Sequence, residues 1–332
     1  MTTKRHARYF GSGWFFRKAP IICAFIIIGL LPLSAHALDI LLGTGDAGTF
    51  SHFTGRTICR VMNKHSSEMN CKTVPAPGDM HILTNLQGGS MDIGLVDSRM
   101  LHDAMNKTGY FEFLDISYEN LRVLAPLYDV PVTLVVREDA KITSLDTLKG
   151  KRLNAGAPRS QQHLAVDTIM KVKNWSEKDF SVFGELPASQ SQDTMAFCHG
   201  TIQAMVHIGV HPDASLQQLF KLCKAGLVDM DDGDIEKLIT DHPAFIKISD
   251  AAKTYPAYSK GVTTFGTRVM LVASADLDDE TVYNIMDAIY SNRKNLMRAH
   301  PALTSMTVEA SRKGEVGIEL HPGAVKYLSD HF

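Results

Sequence analysis

The sequence lacks most signatures of catalytic or nucleic-acid-binding chains. It contains no His-Glu-x-x-His motif for a hydrolytic zinc, no Gly-x-Ser-x-Gly elbow for a serine nucleophile, and no conspicuous pair of acids. Basic residues are scattered singly, without the stripe that neutralising a phosphate backbone requires, which excludes a nucleic-acid partner. Long apolar runs are also missing. The one prominent run, Ile21 to Leu33, is shorter than the ~18 to 20 residues a spanning helix needs and is broken by Pro32.

That run has another use. Lys4, Arg5, Arg8, Arg17 and Lys18 precede it and Ala35-His36-Ala37 follows it, which is the pattern of a secretory signal peptide cut after Ala37. An uncleaved anchor is the alternative. Cys23 lies inside the run without the small preceding residue that lipid attachment requires. Loss of residues 1–37 removes five basic and no acidic side chains, so the exported chain is more acidic than the −2 of the whole sequence.

Four of the five cysteines, Cys59, Cys71, Cys198 and Cys223, lie beyond the leader. An even number in an exported chain implies two disulfides. Three pairings are possible in principle; short loops favour Cys59 with Cys71 and Cys198 with Cys223.

Asp39 to Leu42 reads as a buried strand that ends in Gly43-Thr44-Gly45-Asp46-Ala47-Gly48 before a helical pattern from Thr49 to about Asn63. A strand around Cys71 to Pro75, a helix from Asp79 to Gly88 and a strand from Asp92 to Val96 repeat the alternation. The β-rich run from Leu121 to Val136 leaves this unit for a second one. There, Leu145 to Leu148 is a short helical turn, Lys151 to Ala155 a strand, and Gln161 to Lys173 a helix opening after Gly156-Ala157-Pro158-Arg159-Ser160. A strand over Thr201 to Ile208 and a helix carrying Cys223 follow. Gly261 to Ala273 returns the chain to the first unit, where Val282, Ile285, Met286 and Ile289 recur at helical spacing after Asp278. The expected fold is α/β: two doubly wound lobes joined by β-strand hinges, with residues 38–130 and 265–332 in lobe 1 and 131–264 in lobe 2. A ligand belongs in the cleft at the carboxyl ends of the strands.

Gly43-x-Gly45-x-x-Gly48 formally matches a dinucleotide fingerprint, but the acid expected at the end of the second strand is absent, and export removes the chain from the nicotinamide pool. No cofactor is expected. The glycines still offer backbone N–H groups at a helix N-terminus, where an anion is favoured. Ser160, Gln161 and Gln162 offer donors at a second such turn, the bland alternative being ordinary capping by Ser160. Asp46 and Asp97-Ser98-Arg99 follow strands and are placed at the cleft rim, where an acid beside two anion-binding turns suits a zwitterion. His199, His207 and His211 with Cys198 raise a zinc or thiol-nucleophile alternative. Their spacing on a strand is poor for metal, so His207 is expected to be a cleft or core residue.

Several stretches together resemble the TAXI family of solute receptors that serve TRAP transporters. They are Gly43-Thr44-Gly45 with Gly48-Thr49-Phe50, Asn85 to Gly94, Asn120-Leu121-Arg122 leading to Leu127-Tyr128, and Ser144-Leu145 with Leu148 to Arg152. Gly156-Ala157-Pro158, Tyr255-Pro256 and Leu320 to Ala324 complete the set, which covers essentially the whole chain after the leader. The resemblance implies a periplasmic-binding-protein fold, type II-like, that closes over a small carboxylate such as glutamate and delivers it to integral membrane subunits without catalysis. A monomer is the default for the class. It places Thr44, Thr49, Phe50, Tyr128, Ser160 and Gln161 around the ligand. The chain departs from the family at Arg159-Ser160-Gln161-Gln162 and at Phe50-Ser51. Arg159 there offers a clamp for a second carboxylate, unless it points to solvent. Two other jobs remain open: a receptor feeding a sensor kinase or an ABC permease, and an exported metal or cysteine hydrolase.

Overall fold

A computed structural model describes residues 37–186, 190–256, 261–312 and 317–332. Apart from Ala37, the expected signal peptide lies outside the described residues.

Three parallel strands, each followed by a helix, start the chain. They are β1 (Leu38–Thr44) with α1 (Phe50–His65), β2 (Met69–Pro75) with α2 (Asp79–Gln87), and β3 (Ile93–Asp97) with α3 (Ser98–Asn106). The long β4 (Leu121–Arg137) then leads to β5 (Arg152–Asn154), α4 (Gln161–Lys173), β6 (Val182–Gly184), β7 (Ala204–Ile208), β8 (Ala225–Val228) and β9 (Ile246–Ala251). The second long strand, β10 (Val262–Ser274), brings the chain back.

The strand order is β2-β1-β3-β10-β4-β7-β5-β6, with β8 on β4 and β9 on β10. Neighbours β1, β2 and β3 are parallel, as are β5, β6 and β7, whereas β10 and β4 run antiparallel to what they touch. This is a mixed α/β fold of two lobes. Strand β4 joins them by changing partners: its residues up to Pro131 pair with β10, and those from Val132 pair with β7, then β8. At the junction the Thr264 hydroxyl donates to the Val132 carbonyl at 2.5 Å.

Four apolar clusters, one for each face of the two half-sheets, hold the layers together. Leu42, Ile93, Leu134 and Leu271 are fully buried within them, each worth about 1.5–3 kcal/mol. Helix α1 shows how local sequence sets the layer. The Thr49 side chain caps it by accepting the His52 N–H, Ile58, Val61 and Met62 supply its buried face, and Gly55 lets it close on β1. A Cβ on Gly55 would lie 2.4 Å from the Thr44 methyl. Gly43 likewise serves packing, since a Cβ there would meet the Met91 sulfur at 2.6 Å.

The expected helix near Asp278 is Asp279–Ser291, capped by the Asp278 carboxylate, with Val282, Ile285, Met286 and Ile289 fully buried. Both expected disulfides are present: Cys59–Cys71 pins α1 to β2, and Cys198–Cys223 ties the end of the helix Gln190–Cys198 to the segment that follows Ala214–Leu222. One expectation is corrected here. Cys223 is not carried by a helix but sits just past Ala214–Leu222, as its C-cap in extended conformation. Among the described residues no helix is long and apolar enough to cross a membrane.

Candidate functional site

The carboxyl ends of β1, β2 and β3 and the N-termini of α1, α2 and α3 open on one side, where they meet the start of α4 and the end of β7. A cavity of about 310 Å³ lies there, lined by Gly45, Asp46, Thr49, Phe50, Tyr128 and Gln161, with Asp79 and Asp97 in its wall. A second cavity of about 450 Å³ includes Ser160, Gln161, Gln162 and His207. A third of about 310 Å³ runs from Asp97 and Gln161 to Phe245 and Phe265. Gln161 and Ile208 line all three, so the cavities form one branched cleft.

Local sequence explains the cleft's donors. The Ser160 hydroxyl caps α4 by accepting the His163 N–H at 3.1 Å, and the preceding turn needs Gly156, whose φ is +81°. The first residues of α1 and α4, Phe50 and Gln161, line the cleft, so the partial positive charge of both helix N-termini lies beside it.

The cleft's charge is set by acids. The Asp97 carboxylate caps α3 through the Arg99 N–H at 2.9 Å and accepts the Thr267 hydroxyl, while Asp79 accepts the Asp97 N–H at 2.9 Å. Burial, with Asp97 nearby, pushes the Asp79 carboxyl up to about 7, and burial raises Asp97 as well. Burial also drives the Tyr128 phenol upward, with Asp79 adding to the effect. Its ring meets Phe50 edge-on with centroids 4.8 Å apart. Among the described residues no Lys, Arg or His lines this polar cavity.

Three expected site residues are not brought to the cleft. Thr44 is fully buried beneath α1, its hydroxyl donating to the Gly45 carbonyl and lying 2.9 Å from His52 Nδ1. Ser98 is buried too; its hydroxyl donates to the Ala244 carbonyl and accepts the Arg268 N–H. Arg159 is exposed at φ +66° and lines none of the three cavities. Asp79 was missed, because an acid opening a helix has an ordinary explanation in the helix dipole.

His211 is engaged in a hydrogen-bond network of its own. His211 Nδ1 lies 2.9 Å from Tyr255 Oη and its Nε2 lies 2.9 Å from Thr133 Oγ1. Tyr255 Oη also accepts the Asp213 N–H at 2.7 Å, so both ring nitrogens of His211 are engaged in one buried network. Burial, together with His207, lowers His211 to about 4. Burial likewise lowers His207, whose Nε2 is enclosed without a hydrogen-bond partner. Cys198 is consumed in its disulfide. Among the described residues no three His, Cys, Asp or Glu side chains converge as ligands would.

Residues 42–331 match the NMT1-like family. A TctC solute-binding protein from Polaromonas superposes with a TM-score of 0.54 at 15% identity, covering 88% of this chain and 96% of that one. XAC2383 from Xanthomonas citri, bound to ATP, gives 0.50 at 13% identity, covering 89% of this chain and 99% of that one. At these identities the likeness is one of fold.

Proposed function

The chain belongs to the NMT1-like family, and we propose that it is a periplasmic solute receptor that captures a small carboxylate for a transporter. An amino acid suits the cleft better than a plain organic acid. The observation that carries this reading is the polar cavity itself, where helix N-termini meet Asp79 and Asp97 without a basic side chain. A carboxylate is held by backbone N–H groups at the starts of α1 and α4. An ammonium then offsets the acids, which a dicarboxylate would repel.

In this reading the leader is cut after Ala37, and residues 38–130 and 265–332 close against 131–264 about β4 and β10. The closed state adds the donors of α4 to a ligand first met by lobe 1, and differential affinity for that state drives closure. The protein performs no catalysis and needs no cofactor. Its partners are membrane subunits of TRAP type, the receptor being of the TAXI class.

A thermal-shift screen of the exported form against amino acids, dicarboxylates, keto acids and aromatic acids tests the reading. At a hundredfold excess over its Kd, a true ligand stabilises the folded state by about 2.7 kcal/mol. A screen without any shift overturns the proposal. Reconstituted uptake that follows an ion gradient rather than ATP tests the transporter assignment.

A further inference from the structure

The third cavity differs in kind from the polar one beside it. Met100, Tyr110, Leu164, Ala165, Phe245 and Phe265 contribute to its wall, which is mainly apolar, and its volume of about 310 Å³ is near the lower end of the ~300–1,000 Å³ usual for small-molecule pockets. Phe245 and Phe265 pack at 71° with ring centroids 5.8 Å apart, and Phe265 is fully buried. The chamber has built sides: α3 supplies Met100, α4 supplies Leu164 and Ala165, and β10 supplies Phe265.

The chamber is continuous with the polar cavity through Asp97, Val130, Gln161 and Ile208, which line both. Asp97 thus stands where the two meet. A solute whose charged groups occupy the polar cavity can extend apolar atoms into this chamber, whose wall carries more apolar surface than either neighbouring branch of the cleft. Arg99, the one basic side chain in the chamber wall, is engaged with Asp103 at 3.8 Å and lies 5.8 Å from the Phe245 ring centroid. Asp97 and Asp103 also stand in the wall, so an anionic group in the chamber would lack a free counter-ion, and the largely apolar remainder of the wall favours an uncharged one.

We propose that this chamber receives the side chain of the captured solute, which is therefore an α-amino acid with a bulky apolar side chain, branched or aromatic. The inference rests on the reading of the polar cavity as an amino-acid site. Selectivity among amino acids then comes from the chamber, and the polar cavity supplies what all of them share.

Calorimetric titration of the exported form with phenylalanine, leucine, alanine, glutamate and 3-phenylpropionate tests this. Burying the larger side chains makes phenylalanine and leucine bind at least about tenfold more tightly than alanine. Filling the chamber with Ala165→Phe brings the phenylalanine-to-alanine ratio to within about threefold. Leu164→Trp, at a half-buried position, makes the same test should the first variant fail to fold. Alanine or glutamate binding as tightly as phenylalanine overturns the chamber assignment and leaves the amino-acid site standing. Phenylpropionate binding as tightly as phenylalanine overturns the amino-acid requirement. If none of the five binds, the site reading falls and this inference with it.

Discussion

Asp79 Oδ2 accepts the backbone N–H of Asp97 at 2.9 Å, so the acid that opens α2 is tied to the acid that caps α3. The two carboxyls therefore share one wall of the cleft, and neither ionises as freely as it would in water. Binding and stability both acquire a pH dependence from this pair.

An Asp79 carboxyl pushed up to about 7 is protonated below that pH and ionised above it. A raised acid favours folding fully below its unfolded pKa of about 3.9, and loses that advantage as pH climbs through 7. The loss is up to about 4 kcal/mol across the window. Asp79→Asn keeps an acceptor for the Asp97 N–H but cannot ionise. Its urea midpoint is expected to decline less than that of the natural protein between pH 4 and pH 7, and to exceed it at pH 8. A wild-type midpoint that is flat over that range contradicts the assignment.

Ligand affinity has the opposite trend. An ammonium favours the ionised Asp79, so binding releases a proton and Kd falls as pH rises toward 7, then levels off. Calorimetry in buffers of different ionisation enthalpy counts that proton. Asp79→Asn is expected to weaken amino-acid binding at least tenfold at pH 8 while abolishing proton release.

The two disulfides close loops with sequence separations of 12 and 25 residues, away from the polar cavity. Replacing both Cys198 and Cys223 by Ser should lower stability by about 3 kcal/mol while changing Kd less than threefold. Urea denaturation and calorimetry give the two numbers. The oxidised, exported form should also titrate with no free thiol.

Lys173 ends α4 with its ammonium 2.8 Å from Asp146, 3.0 Å from Asp232 and 2.8 Å from Asp234. Burial works to lower its pKa, yet the three carboxylates raise it overall. Because those partners are partly exposed, Lys173→Met is expected to cost only about 1–2 kcal/mol, mostly screened away in 1 M salt. A loss independent of salt would assign the effect to packing against Trp175 instead.

Much of the fold was legible, for reasons visible at particular residues. Parallel strands buried on both faces are apolar runs, so β1 and β3 stood out, and α4 announced itself through the Ser160 cap and its following period. The short β6 and β8, three and four residues long, carry too little pattern to be seen. Asp97 and Ser98 show the limit at the site. Asp97 ends β3 as the cap of α3 and Ser98 opens that helix, so two adjacent polar residues divided between cleft and core. Phe245 and Phe265 come from distant parts of the chain to meet Met100, and only the topology brings them together.

Gly266 pairs with Pro131 where β4 changes partners. A Cβ on Gly266 would lie 2.3 Å from the Val130 carbonyl oxygen, so Gly266→Ala is expected to cost about 1–3 kcal/mol and to weaken ligand binding along with stability. The ladder toward β10 stops at Pro131, and the ladder toward β7 starts at Val132. The two ladders of β4 therefore meet at that link without overlapping, and Gly266 opposite it pairs with both Pro131 and Ile246. In the closure proposed above, the two long strands would serve as the spine of a book and the two halves of the sheet as its pages.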